Sequence, residues 1–390
     1  MSRMGTSCPL CQSSALVAVL RLAATPVHQN VLAPTLAAAT GCPRGPVDLT
    51  LCRACGFVFN ASFDESLLRY STDYENSQAH SETFRRYLDG IVGSLTSRHA
   101  LGGKTIVEIG CGKGEFLARL CAAAGSRGVG FDPSYLAGRD QVPPEVTIVP
   151  QMYTAAHRCS VGDLVCSRHV IEHLPRPAEL LRAVREAQGE RPAVLFLETP
   201  RLEWILEQGA FWDIFYEHCS YFAMPVLRRL VERSGFAVTL SCEAFDGQYQ
   251  WLEARPGRAR DGSGDSFDMV AWEAGLRGFG DRWAAHQAHW RRQLEALRAR
   301  GPCAIWGAGA KGVTFLNMLD VNADTVPVVV DINPRKQGWR VPGTGQPVVA
   351  PAALRQHAVR TVLVMNPNYV SEVQAAVDGE GLDVEVVAVR

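Results

Sequence analysis

The chain has 390 residues, of which 47% are hydrophobic, and a formal net charge of -1. This length exceeds one ordinary hydrophobic core and predicts a protein of several domains. The near-neutral charge argues against nucleic acid as a partner, and the absence of a long apolar run argues against a membrane span. Because the N-terminus also lacks the apolar core of a signal peptide, we expect a cytoplasmic protein.

Four of the twelve cysteines form two Cys-x-x-Cys pairs near the N-terminus, namely Cys8 with Cys11 and Cys52 with Cys55. Each pair places two sulfurs on one side of a tight turn, and two such turns complete a closed four-sulfur shell that suits a structural zinc ion. Two independent turns or a redox pair are the alternatives. The pairs predict a zinc-binding domain over residues 1–68, in which the segment 26–32 approaches a substrate.

Residues 70–77 are neither strand-like nor amphipathic, and they combine two tyrosines, an Asp, a Glu and an Asn just before the next domain. This composition fits a lid over a cofactor site, with Tyr74 and Asn76 as substrate contacts. A solvated loop that its tyrosines anchor to the core is an equal alternative.

Residues 105–117 predict a buried strand that breaks into a glycine turn and opens a helix. The turn contains three glycines that allow a ligand to approach the backbone: Gly110, Gly112 and Gly114. Asp132, at the tip of the following strand, can accept hydrogen bonds from ribose hydroxyls. The G-x-G-x-G spacing is shorter than that of dinucleotide sites, and Glu108 stands within the strand. Both features resemble motif I of class I S-adenosylmethionine (SAM) methyltransferases.

Strands and helices continue to alternate beyond this turn, which predicts an α/β fold with a doubly wound parallel sheet and ligands at the carboxyl ends of the strands. The strand at 164–167 is followed by Arg168 and His169, which we expect at the cofactor edge, and then by His173.

An aromatic segment, 211–222, concentrates Tyr216, Glu217, His218 and Tyr221. Histidine is the natural base near neutral pH, a neighbouring carboxylate would fix its tautomer, and tyrosine hydroxyls could stabilise an oxyanion. We therefore expect at least one of these histidines to act as a base in methyl transfer.

A second glycine motif, G-x-G-x-x-G at 307–312, is followed by Asp331 at the end of the next strand. It satisfies the dinucleotide fingerprint better than the first motif does, so an NAD-dependent oxidoreductase is the rival class. Lys311 and the helix N-terminus could instead bind a diphosphate, and a turn that serves only packing also remains open.

The order of these motifs resembles a known family, the three-part SAM-dependent sugar C-methyltransferases of antibiotic pathways. The resemblance rests on the two cysteine pairs, on 70–77, on 107–114, on Glu217 and His218, and on 307–317. It implies a small-molecule substrate, a nucleotide-linked keto-deoxysugar, and a histidine base that generates an enolate. It also implies that His218 is the base with Glu217 as its acid, that His173 and Tyr216 lie near the reacting centre, and that Tyr221, Lys311 and Asn317 contact the substrate.

The resemblance further implies a SAM-binding domain over 69–255 and a C-terminal Rossmann-like domain over 256–390 that holds the nucleotide and carries no redox cofactor. We expect a monomer. One position departs from the family: its Tyr-x-Glu-His segment begins here with Phe215, and the neighbouring Tyr216 points in a different direction. A SAM-dependent O-methyltransferase that acts on a sugar or carboxylate of a natural product is therefore the alternative.

Overall fold

A computed structural model describes residues 6–68, 73–157, 162–258 and 267–390. These residues form three separate sheets, which confirms the predicted α/β class with a small N-terminal cysteine unit and two larger α/β units. Residues 70–72 of the predicted lid lie outside the described residues, as does residue 69, where the second domain was predicted to begin. Among the described residues, no helix is both long and apolar enough to cross a membrane.

The N-terminal unit is an antiparallel sheet. Its elements are β1 (Leu16–Pro26), α1 (Leu36–Thr40), β2 (Arg44–Cys52) and β3 (Val58–Asn60). The first cysteine pair precedes β1, and the second lies in the tight turn between β2 and β3. The turn therefore brings the two pairs together, so the cysteine cluster closes one end of this sheet.

The central unit alternates helices and strands. Its elements are α2 (Glu82–Arg98), β4 (Thr105–Ile109), α3 (Glu115–Ala124), β5 (Arg127–Phe131), β6 (Val146–Val149), β7 (Leu164–Arg168), α4 (Pro177–Gln188), β8 (Val194–Pro200), α5 (Leu202–Gln208), β9 (Ser220–Tyr221), α6 (Met224–Arg233), β10 (Phe236–Ala244) and β11 (Tyr249–Pro256). Strand β9 leaves this unit and pairs with β3, which extends the N-terminal sheet.

The central sheet has the strand order β10-β11-β8-β7-β4-β5-β6. Five of these strands are parallel, as predicted, but β11 runs antiparallel to β8 and to β10. The sheet is therefore mixed at one edge, because the short turn between β10 and β11 can join only antiparallel neighbours.

The C-terminal unit follows one long helix. The elements are α7 (Met269–Arg298), β12 (Cys303–Trp306), α8 (Ala310–Leu319), β13 (Val328–Val330), β14 (Val348–Val349), β15 (Thr361–Val364), α9 (Val370–Gly379) and β16 (Glu385–Ala388). The sheet is entirely parallel in the order β14-β13-β12-β15-β16. The buried face of α7 packs in one hydrophobic core with strands of the N-terminal unit and with this sheet. The N-terminal and C-terminal units therefore share an apolar interior.

Polar contacts hold the C-terminal unit against the central unit. The buried amides of Gln248 and Asn366 exchange two hydrogen bonds, of 2.7 and 2.9 Å. Glu372, on α9, accepts hydrogen bonds from the Ser81 hydroxyl (2.7 Å) and the backbone N–H of Thr83 (2.9 Å) at the start of α2. A carboxylate there satisfies unpaired N–H groups and opposes the positive end of the helix dipole. Glu372 thus caps a helix of another unit.

We predict that Glu372→Ala lowers the free energy of unfolding by about 1 kcal/mol, because the N-terminus of α2 loses one acceptor for its N–H groups and keeps only the Ser81 cap. Differential scanning fluorimetry should show a lower melting temperature than for Glu380→Ala, which removes a carboxylate from the other end of α9. Equal melting temperatures for the two variants would show that the cap contributes nothing.

Candidate active site

A cavity of about 730 Å³ lies where the carboxyl ends of the parallel strands of the central and C-terminal sheets meet. Most of the predicted site residues line it: Tyr74, Asn76, Glu108, Gly110, Gly112, Asp132, Arg168, His169, His173, His218 and Lys311. Five do not, namely Gly114, Tyr216, Glu217, Tyr221 and Asn317. One cavity therefore joins the first glycine turn, the histidines and the second glycine turn.

The first glycine turn has a backbone that only glycine tolerates. Gly110 has φ 72°, and a Cβ there would lie 2.1 Å from the Val170 side chain. Gly114 begins α3 at φ 79°, where a Cβ would meet Ile148 at 2.7 Å, so its role is to turn the chain rather than to line the cavity. The Asp132 carboxylate accepts the backbone N–H of Gly112 at 2.8 Å. This bond fixes the acid at the rim of the turn.

Glu108 is a buried carboxyl that points from β4 towards the turn. Its Oε2 accepts no hydrogen bond from the described residues. Burial raises the pKa of Glu108 to about 8, with Asp132 adding to the effect and Arg168 opposing it. A buried polar atom without a partner is costly, so the position is suited to a donor group of a ligand.

Arg168 and His169, at the end of β7, share the buried carboxylate of Glu198. Arg168 Nε donates to Glu198 at 2.6 Å, and the Tyr87 hydroxyl donates to it at 2.5 Å. Despite burial, the nearby carboxylates of Glu172 (3.4 Å) and Glu198 (3.5 Å) raise the pKa of His169 to about 9. His169 also has φ 52°, which is uncommon for a residue other than glycine and stores backbone strain at the cavity. The two cations are thus held by protein carboxylates.

His173 and His218 lie next to each other in the lining of the cavity. Their ring centroids are 4.9 Å apart at 87°, and the Phe215 ring lies 4.0 Å from that of His218. Burial lowers the pKa of His218 well below its usual value, and electrostatic interactions with His173, His169 and Lys311 add to this. A neutral imidazole with a free electron pair can accept a proton.

The side chains of Tyr216 and Glu217 form hydrogen bonds with the backbone of the N-terminal unit. The Tyr216 hydroxyl accepts the backbone N–H of Asp64 (2.8 Å) and donates to its carbonyl (3.1 Å), so it cannot replace the hydroxyl that Phe215 lacks. Glu217 is fully buried and accepts the N–H of Gln29 at 2.8 Å. The carboxylate therefore holds the segment 26–32, and that segment contributes Asn30 to the cavity.

Tyr221 and Asn317 are also engaged elsewhere. The Tyr221 hydroxyl donates to the Phe215 carbonyl at 3.3 Å. The Asn317 amide donates to the carbonyls of Val313 and Pro342, each at 2.9 Å. Neither group is directed at the cavity.

The second glycine turn lies on the opposite wall. Asp331 accepts the backbone N–H of Ala308 at 2.8 Å, which repeats the geometry of Asp132 in the first turn. Lys311 lines the cavity but is paired with the carboxylate of Asp213, and Lys336 donates to the Ala308 carbonyl at 3.0 Å. The wall carries two lysines near the start of α8, with a carboxylate beside each.

Sequence reasoning did not single out Glu172, Gln248 or Asn366, all of which line the cavity, and it included Asn30 only as part of the segment 26–32. Glu172 directly precedes His173, and this adjacency was the signal that could have found it. Asn30, Gln248 and Asn366 come from three different units, and no local pattern connects them.

The four N-terminal cysteines form a compact cluster. Cys8 Sγ lies 3.7 Å from Cys55 Sγ, and Cys11 Sγ lies 3.5 Å from Cys52 Sγ. A tetrahedral Zn²⁺ with metal–sulfur bonds of about 2.3 Å separates its sulfurs by about 3.8 Å. The backbone N–H of Leu10 also donates to Cys8 Sγ at 3.4 Å. The cluster fits a metal ion of this size.

Comparison with known proteins gives two matches to family models. A model described as a methyltransferase domain matches residues 80–241, and one described as a C-methyltransferase C-terminal domain matches residues 269–380. Together with the glycine turn, they define the chain as a SAM-dependent methyltransferase. More particularly, it has the domain composition of a C-methyltransferase. It is similar to the C-methyltransferase NovU of Streptomyces niveus, with 26% identity over 384 residues that cover 94% of this chain and 90% of NovU.

Solved structures also match part of the chain. Magnesium protoporphyrin IX methyltransferase from Synechocystis, with bound SAH, is 17% identical, with a TM-score of 0.34 over 45% of this chain and 84% of that one. A SAM-dependent methyltransferase from Aquifex aeolicus is 12% identical, with a TM-score of 0.36 over 46% and 95%.

The raised pKa of Glu108 predicts a pH-dependent stability. Between its unfolded value of 4.5 and about 8, the folded state without ligand keeps a proton that the unfolded state releases. The stability that this proton provides is complete below pH 4.5 and is lost as the pH rises through this window. Glu108→Gln has no carboxyl group to titrate and escapes this loss. At pH 8.5 its free energy of unfolding should therefore exceed that of the wild type by about 1 kcal/mol or more.

Melting temperatures without ligand at pH 5.5 and 8.5 test this, and the advantage of Glu108→Gln should be larger at pH 8.5. Glu186→Gln, which changes an exposed carboxylate on α4, serves as the control and should show the same difference from wild type at both pH values. A Glu108→Gln advantage that does not grow with pH would contradict a protonated Glu108.

Proposed function

We propose that this enzyme transfers the methyl group of SAM to a carbon next to the ketone of a nucleotide-linked keto-deoxysugar. The observation that carries the proposal is the shared cavity: the neutral imidazole of His218 lies between the first glycine turn and the wall built by the C-terminal unit. The match to a C-methyltransferase C-terminal domain and the similarity to NovU support the same reaction class.

The first glycine turn would hold SAM, which supplies an electrophilic methyl group. Asp132 would accept the ribose hydroxyls at the rim. The Oε2 atom of Glu108 accepts no hydrogen bond from the described residues and could receive one from a donor of the methionine part. Arg168 and His169 would shape the edge beside the reacting centre, and Glu198 keeps both in position.

His218 would act as the base. It takes the proton from the carbon next to the ketone, and the electron pair of that C–H bond becomes the enolate. The enolate carbon then attacks the methyl group while the carbon–sulfur bond breaks, and the proton later leaves His218. Alignment of the two reactants in one cavity supplies much of the rate.

Phe215 favours a second candidate, O-methylation. The phenyl ring of Phe215 carries no hydroxyl that could donate to an enolate oxygen, and the Tyr216 hydroxyl is hydrogen-bonded to the backbone of Asp64. In C-methylation, His173 would take over the donation, because its ring is 4.9 Å from that of His218. In O-methylation, His218 would deprotonate a hydroxyl, and no enolate would form.

The nucleotide part of the substrate would bind along the wall formed by the start of α8. Lys311 and Lys336 offer positive charge there, and Tyr74 and Asn76 of the segment 70–77 line the same cavity. The resemblance and the C-terminal family match support a substrate role for this wall rather than NAD binding.

The cysteine cluster would hold a structural zinc ion. Cys8→Ser combined with Cys52→Ser should remove the metal, because each Cys-x-x-Cys pair loses one ligand. Metal analysis by mass spectrometry should find about one zinc per wild-type chain and none in the double variant. Cys42→Ser lies outside the cluster and should keep the ion. Retained zinc in the double variant would contradict the four-cysteine site.

Proton exchange tests the proposed reaction. In heavy water, with SAH bound and a thymidine-diphosphate-linked 4-keto-6-deoxyhexose as probe, the enzyme should place deuterium next to the ketone. His218→Ala should slow this by about 100-fold or more. His289→Ala, on the exposed side of α7, is the control. The NMR spectrum of the product formed from SAM should show a C-methyl group.

Two results would count against the proposal. An O-methyl product without exchange would establish the second candidate. Exchange by His218→Ala at the wild-type rate would remove His218 from the role of base.

A further inference from the structure

We propose that Glu172 is the positioning residue of the histidine pair: it fixes the neutral tautomers of His173 and His218 and compensates the charge when His218 takes the substrate proton. The charge compensation rests on the proposed function. The choice of tautomer depends only on the arrangement of the three side chains.

Glu172 is held rigidly at the cavity. It is 2% exposed and lies in the short 3₁₀ turn Ile171–His173 that follows β7. Its Oε2 accepts the hydroxyl of Thr199, on β8, at 2.9 Å. Its Oε1 accepts no hydrogen bond from the described residues and lies 3.4 Å from His169 Nδ1. One carboxylate oxygen is therefore anchored, and the other keeps acceptor capacity.

The remaining acceptor capacity lies beside the two imidazoles. A carboxylate oxygen of Glu172 and ring nitrogens of His173 and His218 all lie within 4.8 Å of one another. One water can bridge such a gap, or a small side-chain shift can close it when a substrate binds. An acceptor beside one ring nitrogen places the N–H there and leaves the electron pair on the other nitrogen.

The charges around His218 explain why a carboxylate is needed. His173, His169 and Lys311 all disfavour its positive form. The carboxylate of Asp213 pairs with Lys311, and Glu198 pairs with Arg168, so the charge of each is already compensated by another cation. Glu217, the acid expected to serve His218, instead binds the Gln29 N–H. Within the described cluster, Glu172 is the carboxylate that remains close to both rings.

The same three side chains could in principle be metal ligands. The charge of the surroundings argues against this, because the imidazole of His169 lies 3.4 Å from Glu172 Oε1 and the two nearby carboxylates of Glu172 and Glu198 favour its protonated form. A divalent ion would have to displace or deprotonate this cation. We therefore assign Glu172 to the histidines rather than to a metal.

Nitrogen NMR of ¹⁵N-histidine-labelled enzyme, with zinc and SAH bound, tests the tautomer role without any substrate. Spectra of His218→Gln and His173→Gln assign the two rings. Each ring should show the nitrogen shifts of a single neutral tautomer in the wild type and averaged shifts in Glu172→Gln. Glu172→Asp should restore part of the wild-type pattern. Glu203→Gln, which changes a half-buried carboxylate outside the cavity, should leave it intact.

The exchange assay tests the chemical role. Glu172→Gln should lower the exchange rate by about 10- to 100-fold with an unchanged KM for the keto-sugar and an unchanged affinity for SAH. Thr199→Val, which removes the anchor of the carboxylate, should act in the same direction with a smaller effect. If Glu172→Gln does not fold, the NMR pattern and the rate of Thr199→Val decide the question.

Three outcomes would overturn the inference: unchanged nitrogen shifts in Glu172→Gln, a wild-type exchange rate in that variant, or a second divalent ion per chain that is lost with it. Failure of the proposed function looks different. The wild type itself would then exchange no deuterium. The nitrogen shifts of the two histidines would still test the tautomer role of Glu172 independently.

Discussion

The cavity depends on one geometric constraint, which is that the parallel strands of two sheets present their carboxyl ends to each other. In a parallel sheet, all strands end on the same edge, so the side chains after β4, β5 and β7 gather on one wall and those after β12, β13 and β15 gather on the other. Contacts across the gap keep the walls together. Gln248 and Asn366 exchange two buried hydrogen bonds, and Glu372 caps a helix of the opposite unit.

The N-terminal unit completes this cavity and does more than stabilise the fold. The buried carboxylate of Glu217 accepts the N–H of Gln29, and the next residue, Asn30, faces the cavity and donates to the Tyr74 hydroxyl at 3.3 Å. A buried carboxylate that lost this partner would be costly, so the turn that carries His218 and the segment 26–32 are fixed relative to each other. The cysteine cluster closes the same sheet from which that segment projects.

Charge compensation organises the interior of the site. Arg168 and His169 are held by Glu198 and Glu172, and Lys311 is held by Asp213. These pairs leave the cavity with oriented groups instead of free charges, which lowers the cost of rearranging the site when a substrate binds. His218 differs from them, because burial and its positively charged neighbours keep its imidazole neutral. A neutral base among paired ions suits the removal of a weakly acidic proton.

The sequence by itself determined the α/β class, the cysteine cluster and the glycine turn, because each depends on residues that are close together in the chain. A strand, a G-x-G-x-G turn and an acid 18 residues after the last glycine define one local unit, and the structure brings Gly112 and Asp132 within a hydrogen bond. Only the tertiary structure decided where side chains point and which distant residues meet. Tyr216 and Glu217 adjoin His218 in sequence, yet they bind the N-terminal unit, while Glu172 approaches His218 from the turn after β7. Direction and long-range contact depend on packing among all three units, and no local pattern encodes them.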